Sequence, residues 1–255
     1  MEPKFTIAIC GGGNLSHGSI ASIGHFNPGF TINQLTRRPE AWQKEIKAYT
    51  KGSKWEHMGP LVGKLNVVSS KAQDVVSDAD MILICSPAHT KGQILKEIKP
   101  FLRNGALIGT IFGQGAFDIQ SLQILGKDLI KKKNLTIFSM QYVPFICKII
   151  NYGKDINIIG PKKSLYATSY PLNNIHYVCN ALSQCYYLPC VPIPSFLNLT
   201  LCPSNQIIHP GRVVGFFDKF PEKCDKVLKK KDVPLLYEDL DERSAYEIDA
   251  LDKEI

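Results

Sequence analysis

The stretch from Phe5 to Ala21 restricts the fold of this chain more than any other. Phe5-Thr6-Ile7-Ala8-Ile9-Cys10 is a short apolar run of buried-strand type. It breaks into Gly11-Gly12-Gly13-Asn14, and a helix-compatible run follows from Leu15 to Phe26. Strand, glycine turn and helix form the setting in which a G-x-G-x-x-G pattern acquires physical meaning. Gly11 allows the tight turn, and Gly13 lets the backbone approach a pyrophosphate that then rests on the helix N-terminus. Asn14 and Leu15 belong to the same phosphate-facing segment. Ser16 stands at the third small position, where its size still permits close helix–strand packing. A bare glycine turn would look the same locally; the flanking strand and helix favour a dinucleotide.

Alternation continues downstream. Phe30 to Thr36 reads as a second strand, and Pro39 opens an amphipathic helix through Tyr49. Gly52 to Gly63 reads as a loop and Leu65 to Ser69 as a strand. Ala72–Ser77 is a short helix, Met81–Cys85 a continuous apolar strand, and a helix runs from Ser86-Pro87-Ala88 to Leu102. Ala106–Phe112 is a strand, a helix covers Ile119 to Lys132, and Leu135–Met140 is a further strand. The fold class is α/β: a doubly wound Rossmann-type parallel sheet with additional strands. After Pro144 the pattern changes to a strand pair, Ile146–Ile150 and Ile156–Ile159, around Tyr152-Gly153. A helix from Asn173 to Gln184 and a strand from Leu188 to Val191 follow. The expected division is a nucleotide-binding domain over 1–200 and, over 201–255, a junction with the start of a truncated helical domain. In the acidic tail Leu240, Ile248, Leu251 and Ile255 recur at helical spacing, and that stripe is still running at the last residue.

The net charge of +7 is scattered over short lysine runs such as Lys131–Lys133, Lys162–Lys163 and Lys229–Lys231. This reads as solvated surface rather than a nucleic-acid footprint. There is no signal segment and no apolar run long enough to span a bilayer, so no membrane partner and a cytoplasmic location are expected. The cysteines at 10, 85, 147, 179, 185, 190, 202 and 224 are accordingly read as reduced. Their spacing gives no metal site.

The end of the second strand carries Thr36, Arg37 and Arg38 with no acid beside them. A carboxylate there would bind a free ribose 2′-hydroxyl, whereas guanidinium pairs with a 2′-phosphate, so NADP is favoured, with NAD possible. Ser86 to His89, among them Ser86 and Pro87, follow the fourth strand and would border the nicotinamide half of the cofactor, as would Phe112 to Gly115 after the fifth. His17 reads as a structural histidine, and His89 as a surface or helix-start histidine rather than a catalyst. Asn205 and His209 are four apart and share one face if helical, and Pro210 then bends or ends that helix just past the imidazole.

Together these features resemble the opine dehydrogenase family, also called the octopine/nopaline dehydrogenases. The resemblance rests on Gly11-Gly12-Gly13-Asn14 with His17, on Ser86-Pro87-Ala88 and on Pro144-Phe145-Ile146-Cys147-Lys148 with Tyr152-Gly153. It rests also on Asn205-x-x-x-His209-Pro210 and the tail around Tyr237-Glu238-Asp239. It implies NAD(P)H-dependent reductive condensation of an amino acid with a 2-oxo acid such as pyruvate. His209 would then polarise the carbonyl or imine and handle the proton, and Asn205 would orient it or the substrate. The chain departs from the family at Ser16, and at Lys148, where arginine is common. It also ends before the aspartate that partners the histidine, so cofactor binding with little turnover is expected. Two alternatives stay open: a glycerol-3-phosphate- or ketopantoate-type reductase, and a non-enzymatic NADP-binding redox sensor or interaction protein.

Overall fold

The computed structural model describes residues 5–202, 204–218, 235–238 and 240–254. The chain divides into two compact units, Met1–Thr200 and Leu201–Ile255. In the first, β1 (Thr6–Cys10), α1 (Asn14–Phe26) and β2 (Thr31–Leu35) are followed by β3 (Glu45–Tyr49), β4 (Leu61–Lys64), β5 (Val67–Ser69) and α2 (Ala72–Val76). Then come β6 (Met81–Ile84), α3 (Ala88–Ile98), β7 (Leu107–Thr110), α4 (Phe117–Leu125), α5 (Lys127–Lys132) and β8 (Thr136–Met140). The unit closes with β9 (Phe145–Asn151), β10 (Asp155–Pro161), β11 (Leu165–Tyr170), α6 (Ile175–Tyr186), β12 (Cys190–Pro192) and α7 (Leu197–Thr200).

Among the described residues the strands form two sheets. The larger has the order β12-β11-β8-β7-β6-β1-β2-β5. From β5 to β8 it is parallel, which is the doubly wound arrangement expected from the sequence. β6, β7 and β8 are buried at every position, because helices cover both faces of a parallel sheet. The strand order reverses at β1, so the crevice at the carboxyl ends of β1 and β2 is where such a fold takes a ligand.

The smaller sheet, β4-β3-β10-β9, corrects the sequence reading. Pro39 to Tyr49 is not a helix: a single 3-10 turn, Pro39–Ala41, leads to strand β3. The deciding pattern is local, since Ile46 and Ala48 are buried while Lys47 and Tyr49 face outward, a period of two. β3 then pairs in parallel with β10 and antiparallel with β4. β4 begins inside the stretch read as a loop, at Leu61. The hairpin of β9 and β10 is present as expected. β11 has no counterpart in the sequence reading, for its buried Thr168 and Ser169 dilute the apolar signal. Gly126, with φ +84°, divides the expected Ile119–Lys132 helix into α4 and α5.

This second sheet encloses α1. Every residue from Ser16 to Ile23 is buried, and Ile20 and Ile23 share a core with Ile7 and Ile9 of β1 and with Ile46, Leu61, Ile156 and Ile158 of the smaller sheet. Each such fully buried side chain contributes about 1.5–3 kcal/mol. Close approach depends on missing side chains. A Cβ on Gly18 would enter the Phe145 ring, and one on Gly63 would strike the Ile20 carbonyl oxygen.

In the second unit, α8 (Ser204–Phe217) and α9 (Glu242–Lys253) pack together. α8 does not end at Pro210 but runs through it for seven more residues. Beyond the proline, Gly211 lies against Ile248 and Gly215 against Ser244. The buried Arg212 donates to Asp241 Oδ2 at 2.9 Å and Ser244 Oγ at 3.2 Å. Asp241 caps α9 through the Ser244 N–H at 2.7 Å. This anchorage offsets the backbone hydrogen bond that Pro210 cannot make. Leu240 precedes α9 rather than joining it, and Ile255 lies outside the described residues.

Gly63→Ala is expected to lower stability by about 1–3 kcal/mol, because backbone rather than a pliable side chain meets the new methyl. Gly29→Ala, with nothing within 4 Å of its Cβ position, is the control and should stay within about 0.5 kcal/mol. Urea unfolding midpoints measure both.

Candidate functional site

The turn after β1 is built by exclusion. Gly11 has φ +144°, and a Cβ on it would collide with the Cys85 carbonyl oxygen, so glycine is required by the fold. Gly12 is crossed by Tyr152, whose Oη would lie 2.7 Å from a Cβ. Gly13 differs from both: its φ of −91° suits any residue, yet nothing lies within 4 Å of its Cβ position. Protein packing does not require glycine there, whereas a ligand drawn against the backbone would. Gly13 caps α1 with no side-chain hydrogen bond, and the first turn holds no acidic residue. Its N–H groups are thus left for an anion.

A cleft of about 480 Å³ opens at this point. Gly11, Gly13, Thr36, Arg37, Arg38, Ser86 and Pro87 all line it. Ser86 Oγ is buried with no hydrogen-bond partner among the described residues. Arg37 and Arg38 are exposed at the end of β2, and the Thr36 hydroxyl accepts from the Arg38 N–H at 3.4 Å. One carboxylate, Glu97 of α3, also lines the cleft, and its Oε1 accepts from Gln93 at 2.9 Å.

Three expected residues turn their side chains elsewhere. Asn14 Oδ1 accepts from the Ile149 N–H of β9 at 2.9 Å, Leu15 packs into the core, and Ser16 is fully buried beneath the turn. Phe112 to Gly115 does not line the cleft either. Instead the buried Lys91 of α3 donates to the Phe112 carbonyl, and burial pushes its amine down to about 8. His89, read as a surface histidine, is exposed and lines the cleft.

Sequence reasoning gives Tyr152 no role at the cleft and sees His17 only as a structural histidine. His17 is fully buried. Its Nδ1 lies 2.9 Å from the Gly13 carbonyl oxygen, and its Nε2 accepts the Gly153 N–H at 2.7 Å. Together the two bonds define a neutral imidazole protonated at Nδ1. Burial, the largest influence, holds its pKa below the ordinary value. The available signal is the pairing of His17 with Tyr152-Gly153, which becomes meaningful only once β9 and β10 lie against α1.

His209 and Asn205 lie in the other unit, one turn apart on α8. His209 is not at a helix end. Its Nε2 lies 2.8 Å from Tyr237 Oη, so the ring's partner is a phenol rather than a carboxylate. In the same unit Asp218 pairs with Arg243, Asp241 with Arg212 and Asp249 with Lys253. Asp225 lies outside the described residues.

Sheet order and glycine cradle define the Rossmann class of nucleotide-binding folds. Within that class the chain is similar in sequence to several opine dehydrogenases. It is 28% identical over 172 residues to the tauropine dehydrogenase of Arabella iricolor, covering 64% of this chain and 42% of that protein. It is 27% identical to the opine dehydrogenase of Haliotis discus hannai, covering 100% of this chain and 64% of that protein. A solved octopine dehydrogenase with NADH and L-arginine superposes with a TM-score of 0.76 at 20% identity, over 95% of this chain and 60% of that one. No family profile matches. The chain thus spans less than two thirds of the length of these relatives.

Gly13→Val is expected to abolish dinucleotide binding while costing only about 1 kcal/mol at the helix cap; Gly11→Ala is expected to destabilise the fold itself. Cofactor titration beside thermal melting separates the two. The lowered His17 pKa gives a second expectation. Below about pH 6.5 the unfolded chain takes up a proton that the folded chain refuses, so the His17 contribution is whole above that pH and fades as pH falls. The stability advantage of wild type over His17→Ala, from urea unfolding, should therefore shrink from pH 7.5 to pH 5.

Proposed function

We propose that this chain carries the nicotinamide-dinucleotide unit of an opine dehydrogenase-type oxidoreductase, joining an amino acid to a 2-oxo acid such as pyruvate by reduction. The open Gly13 cradle at an uncapped, acid-free helix N-terminus carries this reading. Relationship to tauropine, opine and octopine dehydrogenases supports it. A reduced nicotinamide bound in the cleft would supply the hydride. The residues of the chain hold and orient. Gly11, Gly13 and the first turn of α1 take the pyrophosphate, with Asn14, Leu15 and Ser16 acting through backbone position. Thr36, Arg37 and Arg38 take the adenosine ribose end, while Ser86 and Pro87 wall the opposite side. His209 gives or takes the proton at the carbonyl or imine, and Asn205 orients it. A cytoplasmic location belongs to the same reading; among the described residues no helix is long and apolar enough to cross a membrane.

The cofactor we favour is NADP over NAD. A guanidinium–phosphate pair contributes roughly 1.5–3 kcal/mol, or about tenfold to a hundredfold in affinity, and the end of β2 has arginines in place of an acid. Fluorescence titration should show NADPH binding tighter than NADH, with the preference lost in the Arg37→Ala, Arg38→Ala double variant. Equal affinities in the parent would refute it. His209→Ala should leave both affinities within about twofold. In a polypeptide that oxidises the cofactor with pyruvate and an amino acid, the same change should lower kcat by about a hundredfold to ten-thousandfold.

A further inference from the structure

Tyr152 reaches the cleft from outside the doubly wound sheet. It occupies the turn between β9 and β10 and lines the cleft beside the glycine turn and the end of β2. The Arg38 guanidinium lies over its ring, 4.3 Å from the centroid. The ring is itself fixed: Trp42 packs edge-on at 5.6 Å and His17 at 5.2 Å. The next residue, Gly153, is pinned by its N–H to His17 Nε2 at 2.7 Å. At φ +71° Gly153 sits so close to the Ala41 carbonyl that no Cβ would fit. An exposed arginine ordinarily loses rotamer freedom when it takes hold of a ligand. A guanidinium stacked on an aromatic face has been ordered beforehand, and its N–H edge stays free to meet an anion.

We infer that Tyr152 is a cofactor-selecting residue: its ring holds the Arg38 guanidinium at the adenosine end of the cleft, ready for the 2′-phosphate that separates NADP from NAD. The inference rests on the cofactor reading above and adds to it a positioning residue that belongs to neither the glycine turn nor β2. Because the ring acts on the phosphate through Arg38, its removal weakens NADPH and spares NADH.

The experiment is a fluorescence titration of NADPH and NADH against the parent, Tyr152→Phe, Tyr152→Leu, Tyr152→Met, Arg38→Ala and the Tyr152→Leu, Arg38→Ala pair. Thermal melts confirm that each is folded, and 2′-AMP serves as a probe without nicotinamide. The expected result is an NADPH and 2′-AMP affinity about threefold to tenfold weaker in the Leu and Met variants, with NADH changed by less than about twofold. Tyr152→Phe should keep the parent preference, and the double variant should bind NADPH no worse than Arg38→Ala alone. Equal loss of both dinucleotides would make Tyr152 a plain wall of the cleft and overturn the inference. So would an NADPH preference that survives Tyr152→Leu, or effects that add in the double variant. A parent with no preference for NADPH would instead remove the underlying NADP reading, and the inference with it.

Discussion

The burial of α1 on every side is the constraint on which the rest of the first unit depends. A helix in a doubly wound fold ordinarily buries one stripe and shows the other to water. Here the residues from Ser16 to Ile23 have no solvent face, so the chain must supply a second apolar surface, and β3, β4, β9 and β10 provide it. The composition of the helix follows from this. Gly18 admits the Phe145 ring, and Ser19 Oγ meets Tyr186 Oη at 3.0 Å. His17 turns a buried polar position into two hydrogen bonds rather than leaving an unpaired group, which would cost about 1–3 kcal/mol.

That constraint links packing to ligand recognition. The bonds of His17 run to the Gly13 carbonyl on one side and to the Gly153 N–H on the other. One imidazole thus joins the glycine turn to the hairpin that carries Tyr152. The three glycines of the turn are there for different reasons. Gly11 is demanded by backbone conformation and the Cys85 carbonyl, Gly12 by the tyrosine above it, and Gly13 by nothing in the protein. In the proposed function, a pyrophosphate drawn against the backbone accounts for the glycine at position 13.

Much of the larger sheet is legible in the sequence, because strands buried on both faces read as unbroken apolar runs and the intervening helices are short and bounded by turn residues. Of the smaller sheet the β9–β10 hairpin is legible, and β3 and β4 are not. Glu45-Ile46-Lys47-Ala48-Tyr49 alternates with a period of two but is brief, and its pairing with β4 and with the distant β10 fixes it as a strand. Pro210 misleads for the opposite reason: a local helix-breaking signal is outweighed by the packing of Gly211, Arg212 and Gly215 against α9. At the cleft, the glycine turn, Thr36 to Arg38 and the Ser86-Pro87 pair are readable from their offsets to strands. Tyr152 and Glu97 are not, since each reaches the cleft by an approach that tertiary structure sets.

The enclosure of α1 also governs the order in which the chain can mature during synthesis. α1 is complete at Phe26, but half of its covering sheet is encoded by residues 145–161. At roughly 5–20 residues per second, the ribosome takes on the order of ten seconds to cross that gap. Through that interval Ile20 and Ile23 stay incompletely covered, the sort of apolar surface that chaperones recognise. β1, α1 and β2 can associate from local contacts, whereas β9 and β10 must return over a long sequence separation, which is slow. The nascent protein therefore owns its glycine turn well before the hairpin that overhangs it.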